Sequence, residues 1–320
     1  MPFCMKNQKL SVIIPLFNEE GNAQILYAEL KEVLERLTKE KRISNYEVIF
    51  VNDGSRDKTQ QVLESIKKTE KDRLKVIQLR RNFGQTPALK AGFDNASGDF
   101  IITMDGDLQN DPADIPVLLK KLDEGYDVVS GWRFRRQDTI GKRISSKIMN
   151  SLRRTIIGDR LHDYGCSLKI YRKECLKDLQ LFGELHRYVT AYLFVRGYRI
   201  GEVKVNHRPR KSGTTKYKFN RGLNGILDLF FLKFWADYSN KPLHFFGRLG
   251  IYQWILAGLI VIEQIIKALI IGLLVFGPLL ALASMLAITG MLTLIFGFLS
   301  EIIARNYFRE EKIYSIKKIL

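Results

Sequence analysis

The chain is predicted to be an α/β protein with a mostly parallel sheet, followed by a pair of helices that cross a membrane. Three observations support this. Short β-branched runs alternate with helical periodicity through the first half of the sequence, each run ends in polar residues, and Ala268 to Ser300 holds no charged side chain.

The first run, Leu10 to Pro15, is broken by Asn18-Glu19-Glu20-Gly21-Asn22. Ala23 to Leu37 then carries Ile25, Leu26, Leu30, Val33, Leu34 and Leu37 at helical spacing. Glu47 to Val51 predicts a second strand ending in Asn52-Asp53-Gly54-Ser55, with Thr59 to Ile66 as its helix. Leu74 to Leu79 predicts a third strand, Thr86 to Ala96 a helix, Phe100 to Met104 a fourth strand and Asp127 to Ser130 a fifth. Such alternation implies right-handed crossovers between parallel strands. Ligands of open α/β sheets bind beyond the strands' carboxyl ends.

After the fifth strand the pattern changes. Ile140, Ile144, Ile148, Leu152 and Ile156 recur every fourth residue, with Lys142, Arg143, Lys147, Arg153 and Arg154 between them. That stripe suits a helix in a membrane interface as well as one packed on the sheet, and the apolar tail downstream favours the interface. Leu223 to Trp235, with Trp235 and Tyr238 at its end, reads the same way. Ile251 to Ile303 as one helix would far exceed a hydrocarbon core of about 30 Å, so a hairpin is expected, turning at Gly272 or Gly277-Pro278. The spans fall at 249–271 and 278–302, after an α/β domain at 1–217 and a juxtamembrane amphipathic segment at 218–248. Glu263, Gln264 and Lys267 interrupt the first span and are expected to be paired, buried or near its far end. The turn between spans is uncharged, whereas Arg305, Arg309, Lys312, Lys317 and Lys318 make 305–320 a basic tail. Both termini and the α/β domain are therefore expected on the cytoplasmic side. No signal peptide is read before Leu10.

The formal net charge of +17 calls for an anionic partner. Basic residues cluster between Arg133 and Lys218, beside the apolar region, which favours lipid headgroups and phosphates; no nucleic-acid signature accompanies them. Cys4, Cys166 and Cys175 are too few and too irregular for a zinc site or a disulfide framework.

The chemistry concentrates where strands end. Asp105 and Asp107 stand one residue apart after an apolar run, with Gln109 in the same alternation. Hard oxygen donors there can seat a divalent cation carrying a diphosphate, although Asp-Gly-Asp is also a common turn. Three further loops accompany the pair: Pro15-Leu16-Phe17-Asn18-Glu19, Asn52-Asp53-Gly54-Ser55 and Arg81-Asn82-Phe83-Gly84-Gln85. In a nucleotide site Asp53 and Glu19 can accept from base N–H or ribose hydroxyl groups, and Gly54 permits close backbone approach.

These loops, with SGWR (Ser130 to Arg133), DYGCSLKIYRKE (Asp163 to Glu174), HRY (His186 to Tyr188) and RPRKSGTTKY (Arg208 to Tyr217), resemble the family 2 glycosyltransferases, and within them the polyprenyl-phosphate glycosyltransferases. The resemblance covers roughly Leu10 to Tyr217 and implies a GT-A, Rossmann-like fold. It also implies transfer of one sugar, with inversion, from a nucleotide-sugar donor (UDP- or GDP-linked) to a polyprenyl phosphate at the bilayer. Asp105, Asp107 and Gln109 would hold Mg²⁺ or Mn²⁺. Pro15, Phe17, Asn18, Glu19, Asp53, Gly54, Ser55, Asn82, Gln85, Asp105 and Gly106 would line the donor site. Arg133, Arg187 and Arg210 would neutralise phosphate charge, and Arg133, Arg210, Ser212 and Lys216 would meet the acceptor phosphate. Arg208 to Tyr217 reads as a loop over those phosphates or as a charged linker.

Some relatives carry an acidic residue after the glycine of DYG, where this chain has Cys166; a base there is in doubt, and Asp163 is as well suited to a turn. A saccharide acceptor is the second reading, although processive relatives usually show a QxxRW motif and more spans. A non-catalytic scaffold is the third, opposed by the intact acidic residues. The reading is compatible with a homo-oligomer.

Overall fold

The computed structural model describes residues 8–134, 154–155, 157–158, 161–177, 179, 185–209, 230–231, 233–235, 237–239, 241–272 and 277–307. The chain divides into two units, 1–230 and 231–320.

In the first unit, strands β1 (Lys9–Leu16), β2 (Asn45–Asn52), β3 (Leu74–Gln78) and β4 (Phe100–Thr103) alternate with helices α1 (Ala23–Lys39), α2 (Thr59–Thr69) and α3 (Gln85–Asn95). Helix α4 (Ile115–Asp123) leads to β5 (Val128–Arg133), and β6 (Lys169–Arg172), α5 (Val189–Val195) and β7 (Ile200–Val205) complete the unit. The elements foreseen from Leu10 to Ser130 are all present, with ends shifted by a few residues. The last two strands went unforeseen.

The seven-stranded sheet has the order β3-β2-β1-β4-β6-β5-β7. β1 runs parallel to both neighbours, β2 and β4, while β6 is antiparallel to β4 and β5. The sheet is therefore mostly parallel with one reversed strand. Strands with helices on both faces bury both sets of side chains, which explains the unbroken apolar runs. On β1, Leu10, Val12, Ile14 and Leu16 enter one core with Leu26, Leu30 and Leu34 of α1, whereas Ile13 enters the opposite core with Leu89 and Phe93 of α3. Gly92 of α3 allows this close approach, since a Cβ there would stand 2.3 Å from Ile13 Cγ2.

The amino ends of the central strands are tied by a buried acid. Glu47 Oε1 accepts from Ser11 Oγ at 2.6 Å, Ser97 N at 2.7 Å and Ser97 Oγ at 2.8 Å, and Oε2 faces Lys9 Nζ at 3.5 Å. Burial opposes the Glu47 charge, but the hydrogen bonds from Ser11 and Ser97 and the charge of Lys9 outweigh it, holding the carboxyl below its ordinary range.

The second unit contains two helices of 30 residues each, α6 (Pro242–Ile271) and α7 (Pro278–Tyr307). Both are long and apolar enough to cross a bilayer. Helix α6 begins earlier than the expected span at 249, so residues 242–248 of the expected juxtamembrane segment are its first turns. Small residues set the packing, as in lipid-embedded pairs. A Cβ on Gly250 would stand 2.8 Å from the Gly290 carbonyl oxygen, and one on Gly290 would stand 2.6 Å from Trp254 Cδ1. Trp254 Nε1 donates to the Ala287 carbonyl at 3.0 Å, and Thr293 Oγ1 to Gln253 Oε1 at 3.1 Å. Glu263 and Lys267 pair at 2.6 Å. The interfacial helix expected near 140–157 lies almost wholly outside the described residues, as does most of Leu223 to Trp235.

Two stability outcomes follow. A depressed folded-state pKa contributes stability that is present above the ordinary glutamate value of about 4.3 and lost as pH falls through the folded value. Glu47→Gln should therefore cost about 1–3 kcal/mol near neutral pH, and melts at stepped pH should show the gap from wild type closing on acidification; a pH-independent gap would contradict the account. Gly250→Leu should destabilise the α6–α7 pair by about 1–3 kcal/mol through overpacking, read as a lower Tm in detergent. Gly258→Leu, where a Cβ meets nothing within 4 Å, should leave Tm unchanged.

Candidate active site

The strand order creates a switch point at β1. From β1 the chain steps outward through β2 to β3, then returns to the other side of β1 as β4. A crevice opens where connections leave in opposite directions. The loops after β1, β2, β3 and β4, the four singled out in the sequence, all end there.

Hydrogen bonds lock the first three loops together. Asn18 N donates to Ser55 Oγ at 2.9 Å, and Asn18 Oδ1 accepts from Arg56 N at 2.8 Å. Glu19 N donates to Thr59 Oγ1 at 2.9 Å, and Glu19 Oε2 accepts from Asn22 Nδ2 at 2.6 Å. Ser55 N closes onto Asn52 Oδ1 at 2.9 Å. Asp53 is buried, and its two carboxylate oxygens accept from Phe83 N at 2.7 Å and Gly84 N at 2.9 Å. Asn82 Nδ2 reaches the Asp53 carbonyl at 3.3 Å. Gly54 is required, because its φ is +65° and a Cβ would stand 2.3 Å from the Arg81 carbonyl carbon.

The expected nucleotide-reading role of Asp53 must therefore share a carboxylate that already holds the third loop. A carboxylate offers about four lone-pair sites, so two remain. Burial raises the Asp53 pKa, against the lowering effect of the two amide donors.

The fourth loop carries the acidic pair. Gln85, the first residue of α3, donates Nε2 to Asp105 Oδ1 at 2.8 Å, and Ser167 lies close enough to lower the Asp105 pKa. Burial pushes the Asp105 pKa up, with the charge of Asp107 adding to it and Ser167, Arg133 and Gln85 opposing it. The two carboxylates thus repel one another in a poorly solvated place, an arrangement that a bound cation relieves. Gln109 N donates to Asp107 Oδ1 at 3.1 Å, and Leu108, with φ 62°, turns the chain between them. At Gly106 a Cβ would stand 2.1 Å from Leu16 Cδ2, so the loops after β1 and β4 touch.

Behind the pair lies positive charge. Arg133 Nε and Nη2 grip Asp163 Oδ2 and Oδ1 at 2.7 and 2.9 Å, with the arginine side chain 14% and the aspartate 5% exposed. Burial works against the guanidinium charge, but Asp163 more than offsets this and raises its pKa. Asp163 is therefore an arginine holder. It also accepts from Gly165 N at 3.1 Å. Cys166 is buried against Asn110 and the Leu168 carbonyl, and burial pushes its thiol up to about 12. A thiol so protonated is no base at neutral pH.

His186 Nδ1 meets Thr86 Oγ1 at 2.7 Å, which sets the HRY segment beside the first turn of α3; Arg187 follows in the same short turn. Arg210, Ser212 and Lys216 lie outside the described residues.

Two members of the site escaped the sequence reading. Ser167 stands between Asp105 and Asn110, whose Nδ2 reaches Ser167 Oγ at 2.8 Å. Lys169 is buried on β6, donates to the Tyr164 carbonyl at 3.3 Å, and has its pKa lowered by burial to about 8 despite the charges of Asp163 and Asp105. The available signal was a lone lysine inside the apolar stretch Leu168 to Tyr171.

Known proteins agree with this architecture. Over 318 residues the chain is 39% identical to a dodecaprenyl-phosphate galacturonate synthase of Rhizobium johnstonii, covering 96% of this chain and 91% of that protein. It is 32% identical to an undecaprenyl-phosphate 4-deoxy-4-formamido-L-arabinose transferase of Photorhabdus laumondii, covering 98% and 94%. Among solved structures, glucosyl-3-phosphoglycerate synthase of Mycobacterium tuberculosis with Mn²⁺, UDP-glucose and phosphoglyceric acid superposes with a TM-score of 0.54 at 18% identity, over 71% of this chain and 80% of that one. That likeness shows the GT-A fold. With residues 11–180 matching the family description outright, the chain belongs to glycosyl transferase family 2 and is a glycosyltransferase.

Proposed function

We propose that this enzyme transfers a single sugar from a UDP- or GDP-sugar to a polyprenyl phosphate, with inversion, at the cytoplasmic face of a membrane. The carrying observation is the acidic pair at the switch point, set between Gln85 and the Arg133–Asp163 pair. The two relatives, a dodecaprenyl-phosphate and an undecaprenyl-phosphate enzyme by name, support the acceptor class. Their sugars differ, so the donor sugar is left to assay.

The donor set fits a hard divalent ion: two carboxylates and the Gln109 amide oxygen on one loop. Among the described residues no group of three or more His, Cys, Asp or Glu forms a metal cluster, so further oxygens would come from the diphosphate and water. When bound, Mg²⁺ or Mn²⁺ supplies Lewis-acid stabilisation of the departing diphosphate. The Mn²⁺-containing structural relative supports a divalent ion without choosing between the two.

The residues then do the following. Asp53, Asn82 and Ser55 shape the nucleotide pocket, with Pro15, Phe17, Asn18 and Glu19 forming its other wall. Gln85 orients Asp105. Arg187, Arg210, Ser212 and Lys216 offset the charge of two phosphate groups brought together, and Arg133, paired with Asp163, adds positive charge behind the acidic pair. A lipid phosphate oxygen attacks the anomeric carbon, the carbon–oxygen bond to the diphosphate breaks, and its electron pair leaves on the nucleoside diphosphate. The second phosphate pKa is about 6, so the nucleophile is already charged near neutral pH. No residue need remove a proton, which agrees with a buried Cys166 and an engaged Asp163. The uncharged turn and basic tail support cytoplasmic termini.

Purified full-length protein in detergent, given labelled UDP- and GDP-sugars, undecaprenyl phosphate and Mg²⁺ or Mn²⁺, should yield a labelled lipid-phosphate sugar. Elongation of a saccharide with no lipid product would sink this reading in favour of a saccharide acceptor. Asp105→Asn and Asp107→Asn should each lower turnover by about 100-fold or more at unchanged Tm, the size expected for losing ligands of a Lewis-acid site.

A further inference from the structure

The end of β7 is bolted to the turn that follows the acidic pair. Asn110 and His207 form an antiparallel bridge, and Arg208 N donates to the Gln109 carbonyl at 2.9 Å. The Arg208 guanidinium then forks. Nη1 donates to Glu29 Oε2 of α1 at 2.6 Å, and Nη2 to Asp111 Oδ1 at 2.7 Å. Burial disfavours its charge, but Glu29 and Asp111 raise its pKa, so the cation is permanent. Two residues earlier, Asn206 N donates to Asp114 Oδ2 at 2.7 Å.

The same turn is held from within. Asn110 Nδ2 reaches Ser167 Oγ at 2.8 Å, and Thr103 Oγ1 of β4 donates to the Ser167 carbonyl at 2.8 Å. Between the two anchors lies Leu108 at φ 62°, its side chain 2% exposed. A non-glycine residue persists in this left-handed conformation only when its surroundings impose it. Without the Arg208 fork, the turn keeps its backbone bridge to β7 but loses the side-chain tie of Asp111 to α1.

We propose that Arg208 is a positioning residue for the acidic pair: its double ion pair holds the backbone of residues 109–111, and so sets Asp107 and Gln109 for a diphosphate-bound divalent cation. This role rests on the metal reading above. It is distinct from phosphate neutralisation, because the described contacts commit the guanidinium to two carboxylates.

The experiment uses full-length enzyme in detergent. Mn²⁺ uptake in the presence of UDP is titrated by the loss of the free-ion electron paramagnetic resonance signal, beside KM values for donor and for undecaprenyl phosphate. Arg208→Gln should weaken Mn²⁺ binding about tenfold, the usual effect of losing an outer partner of a ligand. It should raise donor KM with acceptor KM unchanged. Arg208→Lys should recover only part, since one ammonium does not reproduce a planar fork between two carboxylates. Glu29→Gln, which cuts one arm and leaves the loop sequence intact, should fall between wild type and Arg208→Gln, and serves if that variant does not fold. A lower Tm with unchanged Mn²⁺ affinity in these variants would reduce Arg208 to a stabilising contact and overturn the proposal. If the wild type binds no Mn²⁺ with UDP, the metal reading falls and this role falls with it. If Mn²⁺ affinity shifts as expected but no lipid product ever forms, the positioning role stands and only the acceptor assignment fails.

Discussion

Everything at the active site depends on β1 having a parallel partner along each edge. Its register with β2 runs the full strand from Lys9 to Leu16, and with β4 from Leu10 to Ile13. Each interior N–H and C=O must find a partner, and parallel ladders on both sides bring the carboxyl ends of three strands to one rim. Because the chain leaves β1 on one side and comes back on the other, the rim opens as a crevice at that point. The loops converge because the sheet is paired this way; their sequences then decide what the crevice can hold.

Convergence has an electrostatic cost. Asp53, Asp105 and Asp163 lie near or below the surface, where a carboxylate loses much of its hydration. Each is compensated differently. Asp53 takes two backbone amides, Asp163 takes a bidentate guanidinium, and Asp105 takes the Gln85 amide while facing a second acid. At the last, burial and a second carboxylate both work against ionisation, a strain that a bound cation relieves. Buried ion pairs add little to stability on balance, so Arg133–Asp163 is better understood as placing charge behind the site than as holding the fold.

Much of this was legible before any coordinates. The alternation of β-branched runs with helical stripes located the first four strands and three helices to within about three residues at each end, since burial on both faces leaves such runs no polar option. The four loops could be recognised by composition, and Gly54 proved to be a glycine for backbone reasons. β6 and β7 were not legible as strands. β6 is four residues long and carries Lys169 in an otherwise buried position, and β7 interleaves Glu202 and Lys204. Neither offers an apolar period long enough to stand out. The start of α6 was also missed, because Pro242 to Arg248 mixes aromatic and basic residues that read as a boundary, whereas helical hydrogen bonding runs on through them.

The sequence by itself determined the fold class, the pair of bilayer-length helices and the four polar loops. These follow from local periodicity and from residue types with few alternative uses. Only the tertiary structure decided which polar groups are committed to one another: Asp53 to the third loop, Asp163 to Arg133, Cys166 to the interior, and Arg208 to Glu29 and Asp111. Those partners stand far apart in the chain, from about 30 residues for Asp163 and Arg133 to 179 for Arg208 and Glu29. Spacing along one sequence carries no record of such meetings. The acidic pair was visible as two letters one residue apart; that burial and the neighbouring acid both work against the Asp105 charge is a fact of packing.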